Sequence, residues 1–217
     1  MCKRSIILML ALCMIGLTSA APGKKVRGEI VCFGDSITHG AMVDGKSWVW
    51  YLQQEKLDDV TFINAGRSGR KTADTAELPP VVEKYPHAAY YLIFLGVNDL
   101  KDGNEAMEDH CVTNMTWMIS RIRMTDPSAR IVLLAPTDIN TRIMSPVNVK
   151  KKYNENTRTS LAGLEKKYRA LAKREHTGFI SLLHTVSPPN YADGLHPDSK
   201  GQQQIAAAVW KGLSKLY

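Results

Sequence analysis

The chain has 217 residues and a mass of 24.1 kDa, enough to bury one substantial core and short for two. Hydrophobic residues make up 44% and charged residues 23%, a balance that excludes a fibrous repeat and a chain too polar to fold. The formal charge of +7 is spread along helical stretches such as Lys150 to Lys152 and Lys166 to Arg174, which reads as solvated helix faces and not as a nucleic-acid surface.

At the start of the chain, Lys3 and Arg4 precede an apolar run from Ile6 to Leu17, and small residues at Thr18 to Ala21 precede Pro22. This is the layout of a signal peptide over residues 1–20, cleaved near Ala20 or Ala21, and it predicts a secreted or periplasmic domain spanning 21–217. The run falls short of the roughly 20 residues that span a bilayer, so no stable membrane insertion is expected after cleavage. Bulky Leu12 ahead of Cys13 argues against a lipid anchor. Loss of Lys3 and Arg4 takes the formal charge from +7 to +5. Cys32 and Cys111 then remain, a pair able to bridge in an oxidising compartment, although Cys32 lies in an apolar strand and reads as a buried thiol. Neither Cys nor His has metal-site spacing, so no structural metal is expected.

Short β-rich apolar runs then alternate with longer helical patterns, which predicts an α/β fold of parallel strands joined by helical crossovers. Strands are expected at 29–33, 60–64, 89–95, 130–136 and 178–182. Helices are expected at 47–57, 72–84, 104–125, 149–176 and 199–216. Runs 89–95 and 130–136 are almost continuously apolar, as befits central strands covered by helices on both faces. In such sheets the ligand site lies beyond the carboxyl ends of the strands. The irregular stretch Thr137 to Asn148 is either a substrate-facing loop or a plain surface connection.

That rule singles out four polar clusters. The first strand ends in Gly34-Asp35-Ser36, a serine placed where the chain must turn. A serine hydroxyl becomes a useful nucleophile only with a base in hydrogen-bond reach and a third group orienting that base. After the fifth strand, Asp193-Gly194-Leu195-His196 offers both, three residues apart on a loop that Gly194 allows to turn. An ester's tetrahedral intermediate also needs donors for its oxyanion. Asn64-Ala65-Gly66-Arg67-Ser68-Gly69 after the second strand and Gly96-Val97-Asn98-Asp99 after the third offer backbone N–H groups and an amide. Each cluster alone is also an ordinary turn; four of them at four strand ends point to one site. Ser68 fails as a rival nucleophile, since the Gly-x-Ser-x-Gly elbow needs glycine where Arg70 stands. His39 reads as an exposed loop residue, and Trp48, Trp50 and Tyr51 as helix packing more than a sugar platform.

In these blocks, which run in order from Phe33 to His196, the sequence resembles the GDSL/SGNH hydrolase superfamily, with Ile37 in place of the leucine of its name. The resemblance implies a flavodoxin-like three-layer α/β/α sandwich with five parallel strands in the order 2-1-3-4-5. It implies Ser36 as nucleophile, Asp193 and His196 as its partners, and an oxyanion hole from Ser36, Asn98 and a glycine. Gly69 is the expected glycine, with Gly66 as the alternative. The implied reaction needs no cofactor: a small-molecule or polysaccharide ester acylates the serine, and water releases the acyl group. Export, a small single domain and the resemblance together make an acetyl ester of carbohydrate the expected substrate, and Gly66-Arg67-Ser68-Gly69-Arg70 is similar over a short stretch to a motif of some polysaccharide acetylesterases. A lysophospholipase or thioesterase for longer acyl chains and a non-catalytic carbohydrate-binding protein are the competing readings.

Overall fold

The computed structural model describes residues 26–55 and 59–217; the expected signal peptide lies outside the described residues. Five strands run in chain order: β1 (Gly28–Gly34), β2 (Val60–Gly66), β3 (Tyr90–Phe94), β4 (Arg130–Ala135) and β5 (Gly178–Ser181). All pair in parallel, in the order β2-β1-β3-β4-β5. Every residue of β3 is buried, which is why that segment carries no polar alternation.

Helices cover both faces. They are α1 (Ser36–His39), α2 (Trp48–Gln54), α3 (Leu78–Lys84), α4 (Glu105–Thr125), α5 (Pro146–Lys150), α6 (Glu155–Arg174) and α7 (Ser199–Leu216). α2 packs against α7, while α4 packs against α3 and α6. Right-handed crossovers produce this division, because the chain steps one way from β1 to β2 and the other way from β2 through β3 to β5. Strand order therefore reverses beside β1, the switch point at which such sheets open a crevice.

Two expected helices differ from the structure. The helix expected over 72–84 is a 3₁₀ turn at Thr75–Glu77 followed by α3, because Pro79 and Pro80 lack the N–H groups an α-helical interior needs and are tolerated only in its first turn. The helix expected over 149–176 is two helices. Asn154 caps the second, its side chain accepting from the N–H groups of Asn156 and Thr157 while Thr157 caps it back, so the chain breaks at Tyr153. The stretch 137–148 is correspondingly ordered, with a 3₁₀ turn at Thr141–Ile143 and the start of α5.

The core is dominated by aromatic side chains, with Trp48, Tyr90, Tyr91, Tyr168, Phe33 and Phe94 fully buried. Burial of each such ring contributes on the order of 2–3 kcal/mol. Trp48 also donates from Nε1 to Thr38 Oγ1 at 3.3 Å and meets Phe94 edge-on at 6.3 Å, which fixes α2 against the turn carrying Ser36. It is a packing residue, as its position in an apolar pattern predicts. Cys32 and Cys111 are both buried and free.

Candidate active site

β1 ends at Gly34, and the chain turns at once into α1. Asp35 makes that turn: its Oδ1 accepts from the Ile37 N–H at 2.9 Å and caps the helix. Ser36 is thus the first helical residue, where its own N–H has no carbonyl four residues back to donate to. Gln202 of α7 holds this turn from behind. It accepts from the Trp48 N–H at 2.9 Å and donates to the Ile37 carbonyl at 3.2 Å.

The loop after β5 returns to β1 before α7 begins, pinned by an isolated bridge between Tyr191 and Pro197. It carries His196 to Ser36 across 160 residues of sequence: Nε2 lies 3.0 Å from Oγ. The other ring nitrogen, Nδ1, lies 2.9 Å from Asp193 Oδ2. Asp193 Oδ1 accepts from the backbone N–H groups of Leu195 and His196 at 3.0 and 2.8 Å. Burial raises the Asp193 carboxyl, yet the hydrogen bonds from the His196 ring and backbone outweigh it and hold it well below the usual carboxylate range. An imidazole held this way keeps Nδ1 protonated and turns an unprotonated Nε2 to the serine. Its Asp193 carbonyl in turn accepts from the Ser145 N–H and from Asn148 Nδ2, so the segment leading into α5 holds the loop in place.

The two glycines after β2 differ in what their N–H groups do. Gly66 donates to Asn64 Oδ1 at 2.9 Å, and a Cβ there would collide with the His39 backbone nitrogen. Gly69, at φ +80°, holds a left-handed turn, and its N–H has no acceptor among the described residues. Next in sequence is Arg70, whose side chain is almost wholly buried. Its guanidinium donates to the Gly34 and Ala65 carbonyls at 2.6 Å each and to Glu77 at 2.9 Å, and stacks on Phe33 at 4.0 Å. One side chain thereby ties together the ends of β1 and β2.

Asn98, after β3, completes the group. Its Nδ2 donates to the Arg70 carbonyl at 3.1 Å, while its 3.5 Å approach to Asp35 Oδ2 is too long to hold the second hydrogen firmly. The Tyr153 hydroxyl donates to Asn98 Oδ1 at 2.7 Å from the break between α5 and α6. Burial pushes the Tyr153 phenol up, so it keeps its proton and fixes which way round the Asn98 amide faces. Burial likewise pushes Asp35 up to about 7, against the Ile37 N–H and His196, which pull it down.

All the residues singled out at strand ends are thus gathered at one end of the sheet, with Ser36, His196 and Asp193 in one hydrogen-bonded row. Three participants were not foreseen. Tyr153 was hidden by reading 149–176 as one helix, although Asn154 followed by Glu155 and Thr157 is a capping signal. Asp35 and Arg70 carry no separate sequence signal, because their roles depend on burial. His39 lies at the exposed end of α1, apart from the row.

A cleft of about 950 Å³ lies between the loops after β4 and β5, and no residue of the row lines it. Its walls mix polar side chains, among them Asn140, Arg142 and Arg158, with apolar ones, among them Ile139, Leu183 and Val186. Asn140 connects it to the His196 loop by donating its N–H to the Gly194 carbonyl at 2.7 Å.

Solved structures share the architecture. An aryl esterase of M. smegmatis is 20% identical, with TM-score 0.73 over 88% of this chain and 100% of that one. A carbohydrate acetylesterase of Sinorhizobium meliloti is 17% identical, with TM-score 0.74 over 88% and 100%. TesA is 25% identical, with TM-score 0.65 over 87% and 99%. No protein with a curated description matches significantly. The model of the GDSL-like lipase/acylhydrolase family matches residues 32–204, a span that contains every strand-end residue above from Gly34 to His196. A match of that extent settles the family: the chain belongs to the GDSL-like lipase/acylhydrolases and is a hydrolase of ester bonds.

Proposed function

We propose that the protein is an exported serine esterase that removes short acyl groups, acetyl foremost, from carbohydrate. The observation that carries this reading is the row Ser36 Oγ, His196 Nε2, His196 Nδ1, Asp193 Oδ2, with 3.0 and 2.9 Å between its polar atoms. His196 takes the Ser36 proton as Oγ attacks the ester carbonyl, and Asp193 stabilises the imidazolium. The oxyanion is held by the N–H groups of Ser36 and Gly69 and by Asn98 Nδ2. His196 then protonates the departing alcohol, and water, activated by the same imidazole, releases the acid.

Support for carbohydrate comes from the Gly66-Arg67-Ser68-Gly69-Arg70 segment and from the likeness to a carbohydrate acetylesterase. Export is supported by Lys3, Arg4 and the apolar run that follows them; no helix among the described residues is long and apolar enough to cross a membrane. A second reading, action on longer acyl chains, is favoured by the exposed apolar side chains of Ile143, Val147 and Val149 on the segment that holds Asp193.

Turnover of p-nitrophenyl acetate, octanoate and palmitate separates the two. The proposal expects acetate to be fastest and the Ser36→Ala variant to be inactive on all three while folding normally. Palmitate as the best substrate would support the second reading, and full activity in the Ser36→Ala variant would contradict both.

A further inference from the structure

The reaction at Ser36 makes no use of the cleft between the loops after β4 and β5, yet its walls are firmly tied. Asp138 donates its N–H to the Leu183 carbonyl at 2.9 Å, and the Tyr191 hydroxyl donates to the Asp138 carbonyl at 2.8 Å. Asn140 Nδ2 donates to the Pro188 carbonyl at 2.8 Å, a third bond from one wall to the other. A cleft held open in this way is preorganised, and a ligand entering it has little ordering to impose.

The chemistry of the lining narrows the ligand. Its two carboxylates, Asp138 and Glu155, are matched by two guanidiniums, Arg142 and Arg158. Arg158 donates to Asp138 twice, at 3.0 and 3.1 Å, and to Glu155 at 3.1 Å. The guanidinium of Arg142 and the ring of His184, one on each loop, have no hydrogen-bond partner among the described residues. Ile139, Leu183 and Val186 add apolar surface. A fatty chain in this cleft would strip water from Arg142 and Glu155 and offer no hydrogen bond in return. An ionic ligand would find no net charge to favour it. A neutral polyol suits both kinds of surface: its hydroxyls donate to carboxylates and accept from guanidinium and imidazole N–H groups, while its C–H faces cover the apolar side chains. The volume, about 950 Å³, is at the upper end of ordinary ligand sites, roughly 300–1,000 Å³, and admits more than a single sugar ring.

The loop that lines this cleft also carries the base. Tyr191, in the wall, bridges Pro197 in antiparallel fashion, and the Ala192 N–H donates to the His196 carbonyl at 2.8 Å. Residues paired in that way lie about 5 Å apart and successive residues about 4 Å, so the backbone of Tyr191 comes within about 10 Å of that of His196. A short sugar chain covers such a span.

We propose that the cleft is a carbohydrate-binding site, separate from the row, which holds neutral sugar units of a polysaccharide beyond the unit whose ester meets Ser36. This rests on the reading of the protein as a carbohydrate esterase. It narrows the substrate from esters of free sugars to acylated neutral chains.

Two measurements test it. In the first, deacetylated xylohexaose, mannohexaose and cellohexaose are titrated calorimetrically into Ser36→Ala protein. At least one should bind, and R142A/H184A added to the same protein should weaken that binding about tenfold, the usual cost of lost hydrogen bonds to a charged group. Both side chains are exposed, and R142A alone serves if the double variant folds poorly. In the second, kcat/KM is compared for the acetylated hexasaccharide that binds best and the acetylated methyl glycoside of the same sugar. The hexasaccharide should lead by about tenfold, and R142A/H184A should remove most of that lead. Binding of none of the three chains, binding that R142A/H184A leaves unchanged, or equal turnover of chain and single sugar would overturn the proposal. Failure of the esterase reading looks different: no ester is turned over, and Ser36 fails to react with a fluorophosphonate, whatever the titrations show.

Discussion

An amide can hold an oxyanion only if its nitrogen, not its oxygen, faces the site, and for Asn98 that choice rests on Tyr153. Tyr153→Phe keeps the packing and removes the 2.7 Å hydrogen bond, so kcat should fall by about tenfold with KM and melting temperature little changed. Asn98→Ala should lower kcat by about a hundredfold or more, the usual loss of one oxyanion donor. Steady-state kinetics on p-nitrophenyl acetate checks both. Asp35 gives a pH-dependent test. Its folded pKa of about 7 stands above the unfolded 3.8, so the folded state binds the proton more tightly, and the associated stability is lost as pH rises from about 4 to 7. Asp35→Asn keeps the helix cap without that titration. Its stability relative to the natural protein should therefore improve on going from pH 5 to pH 8, measured by urea unfolding; a difference independent of pH would contradict this. Ser36, His196, Asp193 and Asn98 were legible in the sequence because each sits in a short motif at a strand end. Tyr153 and Asp35 were not, since a buried hydroxyl and a desolvated carboxyl acquire their roles from neighbours distant in sequence.

Short elements position long-range partners, and the clearest case is the hold of α7 on α1 through Gln202. Gln202→Leu leaves the Trp48 N–H and the Ile37 carbonyl unpaired in a buried place. It should destabilise the protein by about 2 kcal/mol or more and lower kcat, because Ser36 lies in the released turn. Urea unfolding and kinetics on the same variant check the pair of effects. All five strands appear where β-rich apolar runs predicted them, within one or two residues at each end. Helix boundaries were less legible where local chemistry competes with apolar periodicity. The periodicity of 149–176 runs through the break at Tyr153, and only the capping side chains of Asn154 and Thr157 reveal it. The four-residue α1 is too short to leave any periodic pattern.

At the scale of the whole molecule, the strand order 2-1-3-4-5 creates the site: β1 lies between β2 and β3, so three strand ends and the loop after β5 converge where the order reverses. That order came from family resemblance, since alternating strands and helices predict a parallel sheet without fixing which strands are neighbours. The fold needs no covalent staple among the described residues. With Cys32 and Cys111 both free and buried, reductant should leave the melting temperature unchanged within about 1 °C, and a clear fall would reveal a bridge. The account as a whole depends on Ser36 being activated by His196. The most direct measurement is mass spectrometry of the protein after reaction with a fluorophosphonate. The account predicts one adduct, on the peptide containing Ser36, lost when His196 is replaced by alanine. An adduct on another residue, or undiminished labelling without His196, would contradict it.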